Sequence, residues 1–320
     1  MKLLLTTTSF QDTPGSHHEL LSRQGYNITI CSGPLTETEL LPIIAQYDAL
    51  LCGDDEITAA VLQKGKEGSL QYISKYGVGL DKIDVIKAKE LGIPVAFCPG
   101  VNQVSVAEHV FALLLSFAKN IHLEYNITKV GGWKKYIGHE LSGKKIGIMG
   151  FGAIGKEVAK RAYAFGMKVI ITTSHPDVDY INGNGYFLAK NFTELAAQVD
   201  IITLHVPLNA QTEEIINDAL IMNVVKKGVI IINTARGRLV NTTAIKRGLD
   251  NNIIAGYLTD VLDIEPMPEN YLLKDIANVL ITPHIGSRTY ESVERQGVRS
   301  VENLINMVSG NFEAYREYLA

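Results

Sequence analysis

The chain has 320 residues, 46% of them hydrophobic and 20% charged, and a formal net charge of -4. That length and apolar share are enough for about two packed domains. Lys and Arg are scattered without a basic run, which excludes nucleic acid as an expected partner, since phosphate recognition needs a concentrated cationic face.

From the N-terminus, "MKLLLTTTSF" has too short an apolar core for a signal peptide and reads as a first strand. Further strands are predicted at Ile28 to Cys31, Ala49 to Cys52, Tyr72 to Ser74 and Pro94 to Phe97, separated by helix-period segments such as "TETELLPIIAQ". The segment "VSVAEHVFALLLSFAKNIHLEY" follows, apolar almost all round, and is expected to be buried between domains or subunits. Its longest apolar stretch, Val110 to Leu115 and on through Phe117 and Ala118, is about half a bilayer span, so no membrane segment is predicted. Next comes a polar connection, "KVGGWKKYIGHELSGKK", in which Trp133 is expected to act as an anchor.

A second series starts at Lys145, with six strands near Ile146 to Met149, Val169 to Thr173, Ile201 to Leu204, Val229 to Asn233, Ile254 to Leu258 and Val279 to Thr282. Alternating strands and helices predict an α/β fold with parallel sheets, the second series forming one doubly wound sheet. The last helix, near Ser287 to Val308, is expected to fold back on the first domain. Cys31, Cys52 and Cys98 are odd in number, far apart and without metal-ligand spacing. They predict neither disulfides nor a metal site, and they fit a reducing cytoplasm.

The strongest motif is "KKIGIMGFGAIGKEVAK", where Gly150, Gly152 and Gly155 form G-x-G-x-x-G between a β-run and a helical one. Gly150 allows the turn, Gly152 lets backbone approach a pyrophosphate, Gly155 lets helix pack on strand, and the helix N-terminus supplies N–H groups. A dinucleotide site is therefore predicted. Such sites place Asp or Glu at the end of the next strand to bind the ribose hydroxyls, but "VIITTSH" puts Thr173 there, followed by Ser174 and His175. Nothing at that strand end would repel a 2′-phosphate, and no Arg or Lys completes a strong phosphate site. NADP and an undiscriminating NAD site both stay open, with the lean toward NADP.

Three segments, "GVIIINTARGRLV", "AGYLTDVLDIEP" and "NVLITPHIGS", each follow a strand of the second series. In open α/β sheets ligands lie beyond the strands' carboxyl ends, so Arg236, Asp260, Glu265 and His284 are expected to converge there. A guanidinium holds a carboxylate bidentately, and an imidazole beside a carboxylate exchanges protons near neutral pH.

Together with "KYGVGLDKIDV", "PGVNQVSVAEHVFALLL", "DIITLHVPLNAQT" and "KKGVIIINTARGRLV", these blocks make the chain resemble the D-2-hydroxyacid dehydrogenases, nearest their phosphoglycerate dehydrogenase and hydroxypyruvate reductase branches, over nearly its full length. The resemblance implies a flavodoxin-like substrate domain of residues 1–100 plus 286–320, an NAD(P)-binding domain of residues 101–285, an active site in the cleft between them, and a homodimer. It implies that His284 is the acid and base, that Glu265 holds it and favours the imidazolium, and that Arg236 binds the substrate carboxylate. The backbone of Val78 and Gly79 would hold the same carboxylate. Around the cofactor it places Gly150, Gly152, Ala153, Ile154 and Gly155, with Thr173, Ser174 and His175 at the ribose. The backbone around Thr234, Ala235 and Val206 would line the cofactor, Pro207, Thr212 and Gly286 would also contact it, Asp260 would meet its nicotinamide carboxamide, and His205 is expected beside its phosphates. No metal is expected.

Substrate choice is less explicit. Lys75 falls where phosphoglycerate-type members carry a cation for a distal phosphate, and a solvated surface Lys is the competing reading. Asp54 and Asp55, expected to face the same cleft, would repel an anionic tail or bind hydroxyls. The expected substrate is a short 2-oxo or 2-hydroxy acid: glyoxylate, hydroxypyruvate, a sugar-derived acid or phosphohydroxypyruvate. Two alternatives are a formate or phosphite dehydrogenase, against which Glu265 weighs because the formate branch typically carries Gln there, and a cofactor-sensing corepressor. His17, His18, His122 and His139 read as surface or capping residues, and His109 as a satisfied buried histidine.

Overall fold

In the central strands buried side chains alternate between the two faces, which fixes the layering. In Ile201–Leu204, Ile201 packs into one apolar cluster and Ile202 into another. The neighbouring strand repeats the division with Ile232 and Ile231. Each such fully buried Ile stabilises the fold by about 1.5–3 kcal/mol relative to exposure. The computed structural model describes residues 1–311, 313, 319 and 320. It divides into two units, residues 1–102 with 288–320, and residues 103–287. These boundaries lie two residues beyond the predicted ones.

The first unit has five parallel strands, β1 (Lys2–Leu5), β2 (Asn27–Ile30), β3 (Ala49–Cys52), β4 (Tyr72–Lys75) and β5 (Val95–Ala96), in the order β2-β1-β3-β4-β5. That is the flavodoxin-like order. One face carries Leu4, Leu50, Ile73 and Val95, and the other Leu3, Leu5 and Leu51. Helix Tyr290–Val308 covers the second face with Val293, Val301, Leu304 and Met307, so the chain's end does return to this unit. Ser74 fastens it by donating to the Ser300 carbonyl at 2.7 Å, and Asn303 donates to Phe97 O at 2.8 Å. His17 is fully buried rather than at the surface, its Nε2 3.2 Å from Phe10 O.

The second unit is a seven-stranded parallel sheet, β6 (Lys145–Met149), β7 (Lys168–Thr172), β8 (Phe187–Leu188), β9 (Ile201–Leu204), β10 (Val229–Asn233), β11 (Ile254–Thr259) and β12 (Val279–Ile281), ordered β12-β11-β10-β9-β6-β7-β8. The strand order reverses between β6 and β9, where a doubly wound sheet opens its ligand crevice. β8 is absent from the sequence reading because a two-residue, exposed edge strand leaves no periodic signal.

Helix Gln103–Ala118 packs Ala107, Val110, Phe111, Leu113 and Leu114 into the same cluster as helix Ala153–Ala164. Its wide apolar face is therefore largely covered inside its own unit, and its composition no longer requires a partner. Trp133, by contrast, is 83% exposed instead of packed against the connection as an anchor. Among the described residues no single helix is long and apolar enough to cross a membrane, and no group of three or more His, Cys, Asp or Glu is placed to hold a metal.

Candidate active site

β6 is followed by Gly150, whose φ of 94° turns the chain sharply, and a Cβ there would collide with the carbonyl of His205 just after β9. The two loops at the switch point thus touch through backbone. Helix Ala153–Ala164 starts at Gly152 with no side-chain cap and no acid in its first turn, and a Cβ on Gly152 would meet nothing within 4 Å. Helices Phe192–Gln198, Asp218–Asn223 and Thr242–Asp250 are instead capped by Asn191, Asn217 and Asn241. The amides of Ala153, Ile154 and Gly155 at an uncapped start, with open space above Gly152, fit a pyrophosphate.

After β7, Thr173 is half-buried and Ser174 and His175 are exposed. Ser174 Oγ lies 3.0 Å from His175 Nδ1, and the His175 amide reaches Thr173 Oγ1 at 3.4 Å. Asp177, the nearest carboxylate along the chain, accepts from the Tyr180 amide as the cap of its own helix. After β9, His205 Nε2 lies 2.9 Å from Thr203 Oγ1, and burial pushes its pKa down to about 3. His205 is therefore neutral in the working range and moves no proton there. Val206 and Pro207 lead into a loop that Thr212 closes, donating to Pro207 O at 2.6 Å.

At the end of β10 the fully buried Asn233 holds the next turn from both sides: Nδ2 donates to Arg236 O at 2.8 Å, and Oδ1 accepts from the Ala235 amide at 3.1 Å. Sequence reasoning passed Asn233 over, although a polar residue closing an apolar strand is itself a signal. Thr234 Oγ1 is buried with no hydrogen-bond partner among the described residues, an orphaned group of the kind a bound ligand satisfies. Arg236 donates through Nη1 to Ala235 O at 2.8 Å. Arg238, two residues on, is exposed and paired with Glu213 at 2.5 Å.

The loops after β11 and β12 bring Glu265 and His284 together, with Oε2 2.9 Å from Nδ1. Glu265 Oε1 meanwhile accepts from the Leu262 amide at 2.8 Å, so the carboxylate is fixed on both sides. His284 has the left-handed φ of 54°, and its amide donates to Asp260 O at 2.8 Å and Thr282 O at 3.0 Å.

Residues 111–286 match the model of the D-isomer specific 2-hydroxyacid dehydrogenase NAD-binding domain. The chain is 38% identical over 294 residues to hydroxypyruvate reductase of Thermotoga maritima, covering 89% of this chain and 92% of that one. The chain belongs to the D-2-hydroxyacid dehydrogenase family. It is also 35% identical to chloroplastic D-3-phosphoglycerate dehydrogenase 2 of Arabidopsis thaliana over 89% of this chain, while spanning 46% of that protein. Among solved structures, D-lactate dehydrogenase of Aquifex aeolicus complexed with NAD and lactic acid superposes with a TM-score of 0.87 at 28% identity, covering 100% of this chain and 99% of that one.

This D-2-hydroxyacid dehydrogenase is thus an NAD(P)-dependent oxidoreductase of the CH–OH group, acting on small 2-hydroxy or 2-oxo acids. In its second unit, Asp260 is almost wholly buried. Burial opposes its ionisation, but donation from His109, Thr282 and the Ile285 amide outweighs that and holds its pKa below the usual carboxylate range. Gly286 belongs to the same group, donating its amide to Asp260 Oδ2 at 2.7 Å.

In the first unit, Lys75 is buried rather than solvated, donating to Gly53 O at 2.5 Å and to Asp54 Oδ1 at 2.7 Å. Asp55 is also fully buried, accepting from Thr6 Oγ1 at 2.7 Å and from the amides of Leu35 and Gly53 at 2.7 and 2.8 Å. It braces its own loop, and its oxygens are not offered to a substrate. Val78 and Gly79 sit in the turn after β4, Val78 exposed.

The low pKa of His205 gives a stability prediction. An unfolded imidazole titrates near 6.5, so between that value and about 3 the unfolded chain binds the extra proton. The stabilisation from keeping His205 neutral is present above about pH 6.5 and is lost as pH falls toward 3. His205→Gln should therefore lose less thermal stability than the parent between pH 7 and pH 5, measured by melting at both; equal losses would contradict it.

Proposed function

We propose that the protein reduces a short 2-oxoacid to its D-2-hydroxyacid, with glyoxylate or hydroxypyruvate preferred over an acid bearing a distal phosphate. The observation that carries the reading is the His284–Glu265 pair at 2.9 Å, in the loops that follow β11 and β12. With Nδ1 held by Glu265, His284 delivers a proton from Nε2 to the 2-oxo oxygen during reduction and removes it from the hydroxyl during oxidation. Glu265 orients the ring and offsets its positive charge while the proton is on it. Arg236, one Nη fixed by Ala235 O, presents its planar donors to the substrate carboxylate and orients the α-carbon. The amides of Val78 and Gly79 are the further donors for that carboxylate. When bound, the nicotinamide supplies or accepts the hydride at C2.

Asp54 neutralises Lys75, which supports a substrate without an anionic tail. A matrix of 2-oxoacids against NADH and NADPH tests this. The expected result is highest kcat/KM with glyoxylate or hydroxypyruvate; preference for phosphohydroxypyruvate overturns the substrate class. The reading extends to a homodimer, supported by the exposed apolar side chains of Tyr125, Val130, Trp133 and Ile137, and to the cytoplasm, supported by three free cysteines.

NADP is the proposed preference, because Thr173, Ser174 and His175 stand where a carboxylate would repel the 2′-phosphate and Asp177 is spent on its own helix. Two like charges near 4 Å repel by about 4 kcal/mol at a protein surface. Thr173→Asp should therefore lower kcat/KM with NADPH at least about ten-fold more than with NADH. Equal effects on both cofactors would remove this loop from the 2′ position.

A further inference from the structure

His109 lies on helix Gln103–Ala118, which is embedded through Val110, Phe111 and Leu114, yet its ring reaches Thr282, 173 residues away in sequence, at Nε2 to Oγ1 2.9 Å. Thr282 Oγ1 also approaches Asp260 Oδ1 at 2.6 Å. A carboxylate only accepts, so the single hydroxyl proton of Thr282 goes to Asp260 and its oxygen must accept from His109. Nε2 of His109 therefore carries hydrogen, and the same atom stands 3.3 Å from Asp260 Oδ1. The Asp260 carboxylate in turn accepts the amides of Ile285 at 2.9 Å and Gly286 at 2.7 Å, while its carbonyl accepts the amide of His284. Gly286 packs closely on the carboxylate: a Cβ there would lie 2.9 Å from Asp260 Oδ2, and 3.5 Å, ordinary contact, from His109 Cδ2.

Residues 282–286 are thus wrapped on Asp260 and fastened through Thr282 to a helix of the core, and within that segment His284 keeps a left-handed backbone that a non-glycine residue adopts only under constraint. We propose that His109 is a positioning residue for His284: its Nε2–H, passed through Thr282 to Asp260, holds the loop that aims the acid–base imidazole. This rests on the proposed reductase reading for the role of His284, and on the geometry of one unit for its own.

The experiment first measures reduction of hydroxypyruvate by the unaltered protein, which tests the reductase reading separately. It then compares His109→Phe and Thr282→Val, which remove the link, with His109→Gln and Thr282→Ser, which keep a donor or a hydroxyl at the same place. The first two should lower kcat at least about ten-fold, displace the pH profile of kcat, and leave melting within a few degrees. The second two should restore most of kcat. Because turnover is not the only readout, the pH titration of the His284 ring followed by NMR should move in His109→Phe and return in His109→Gln. Unaltered kcat and titration in His109→Phe, a loss confined to NADH affinity, or no restoration by Gln and Ser in folded variants would each overturn the proposal.

Discussion

His284→Ala is expected to lower kcat for 2-oxoacid reduction by about 10²–10⁴-fold, the range a positioned general acid contributes, while the NADH dissociation constant stays within about two-fold. The separation follows from where the groups lie. The cofactor's phosphates are assigned to the uncapped helix after Gly152, whereas the His284 ring is held by Glu265 at 2.9 Å on the loops after β11 and β12. Glu265→Gln should be milder, because the amide oxygen still accepts from Nδ1 while the compensating charge is lost. A reduction of about ten-fold in kcat with little change in KM is expected there. Steady-state kinetics with fluorescence titration of NADH checks both; full turnover in His284→Ala would remove the imidazole from the proposed chemistry.

Gly237→Ala is expected to be nearly as damaging, although the residue carries no functional group. A Cβ at Gly237 would collide with the carbonyl carbon and oxygen of Leu262 and with the amide nitrogen of Asp263. These are backbone atoms and cannot turn aside as a side chain would. Two chain segments meet at that point: one carries Arg236, and the other runs through Leu262, whose amide holds Glu265. Forcing them apart should cost about 3 kcal/mol or more in stability and about 10²-fold in kcat/KM, since a displacement near 1 Å at a reacting group costs that much. Denaturant midpoints and kcat/KM measured together check it, and a variant as stable and active as the parent would contradict it.

Much of the fold could be read from residues because its signals are local. "KKIGIMGFGAIG" contains a strand, a turn and a helix start in one stretch, and the β-branched runs at Ile201 to Leu204 and Val229 to Asn233 carry the buried-strand signature. Strand β8 escaped because two residues cannot show a period. The parts of the site that escaped are tertiary. Nothing near His109 in the chain points to Thr282, nothing near Gly237 points to Leu262, and Asn233 shows its use only once the turn to Arg236 has closed on it. In the acidic "GDDE" the same reason hides the use of Asp55, which is buried in its own loop instead of facing a substrate, and the pairing of Asp54 with Lys75.

The most direct test is the fate of a labelled hydride. The protein would be supplied with hydroxypyruvate and NADPH carrying deuterium at both C4 positions, and the isolated product examined by mass and by chiral separation. D-glycerate with one deuterium at C2 is the expected product. An L product, or product without the label, would contradict it.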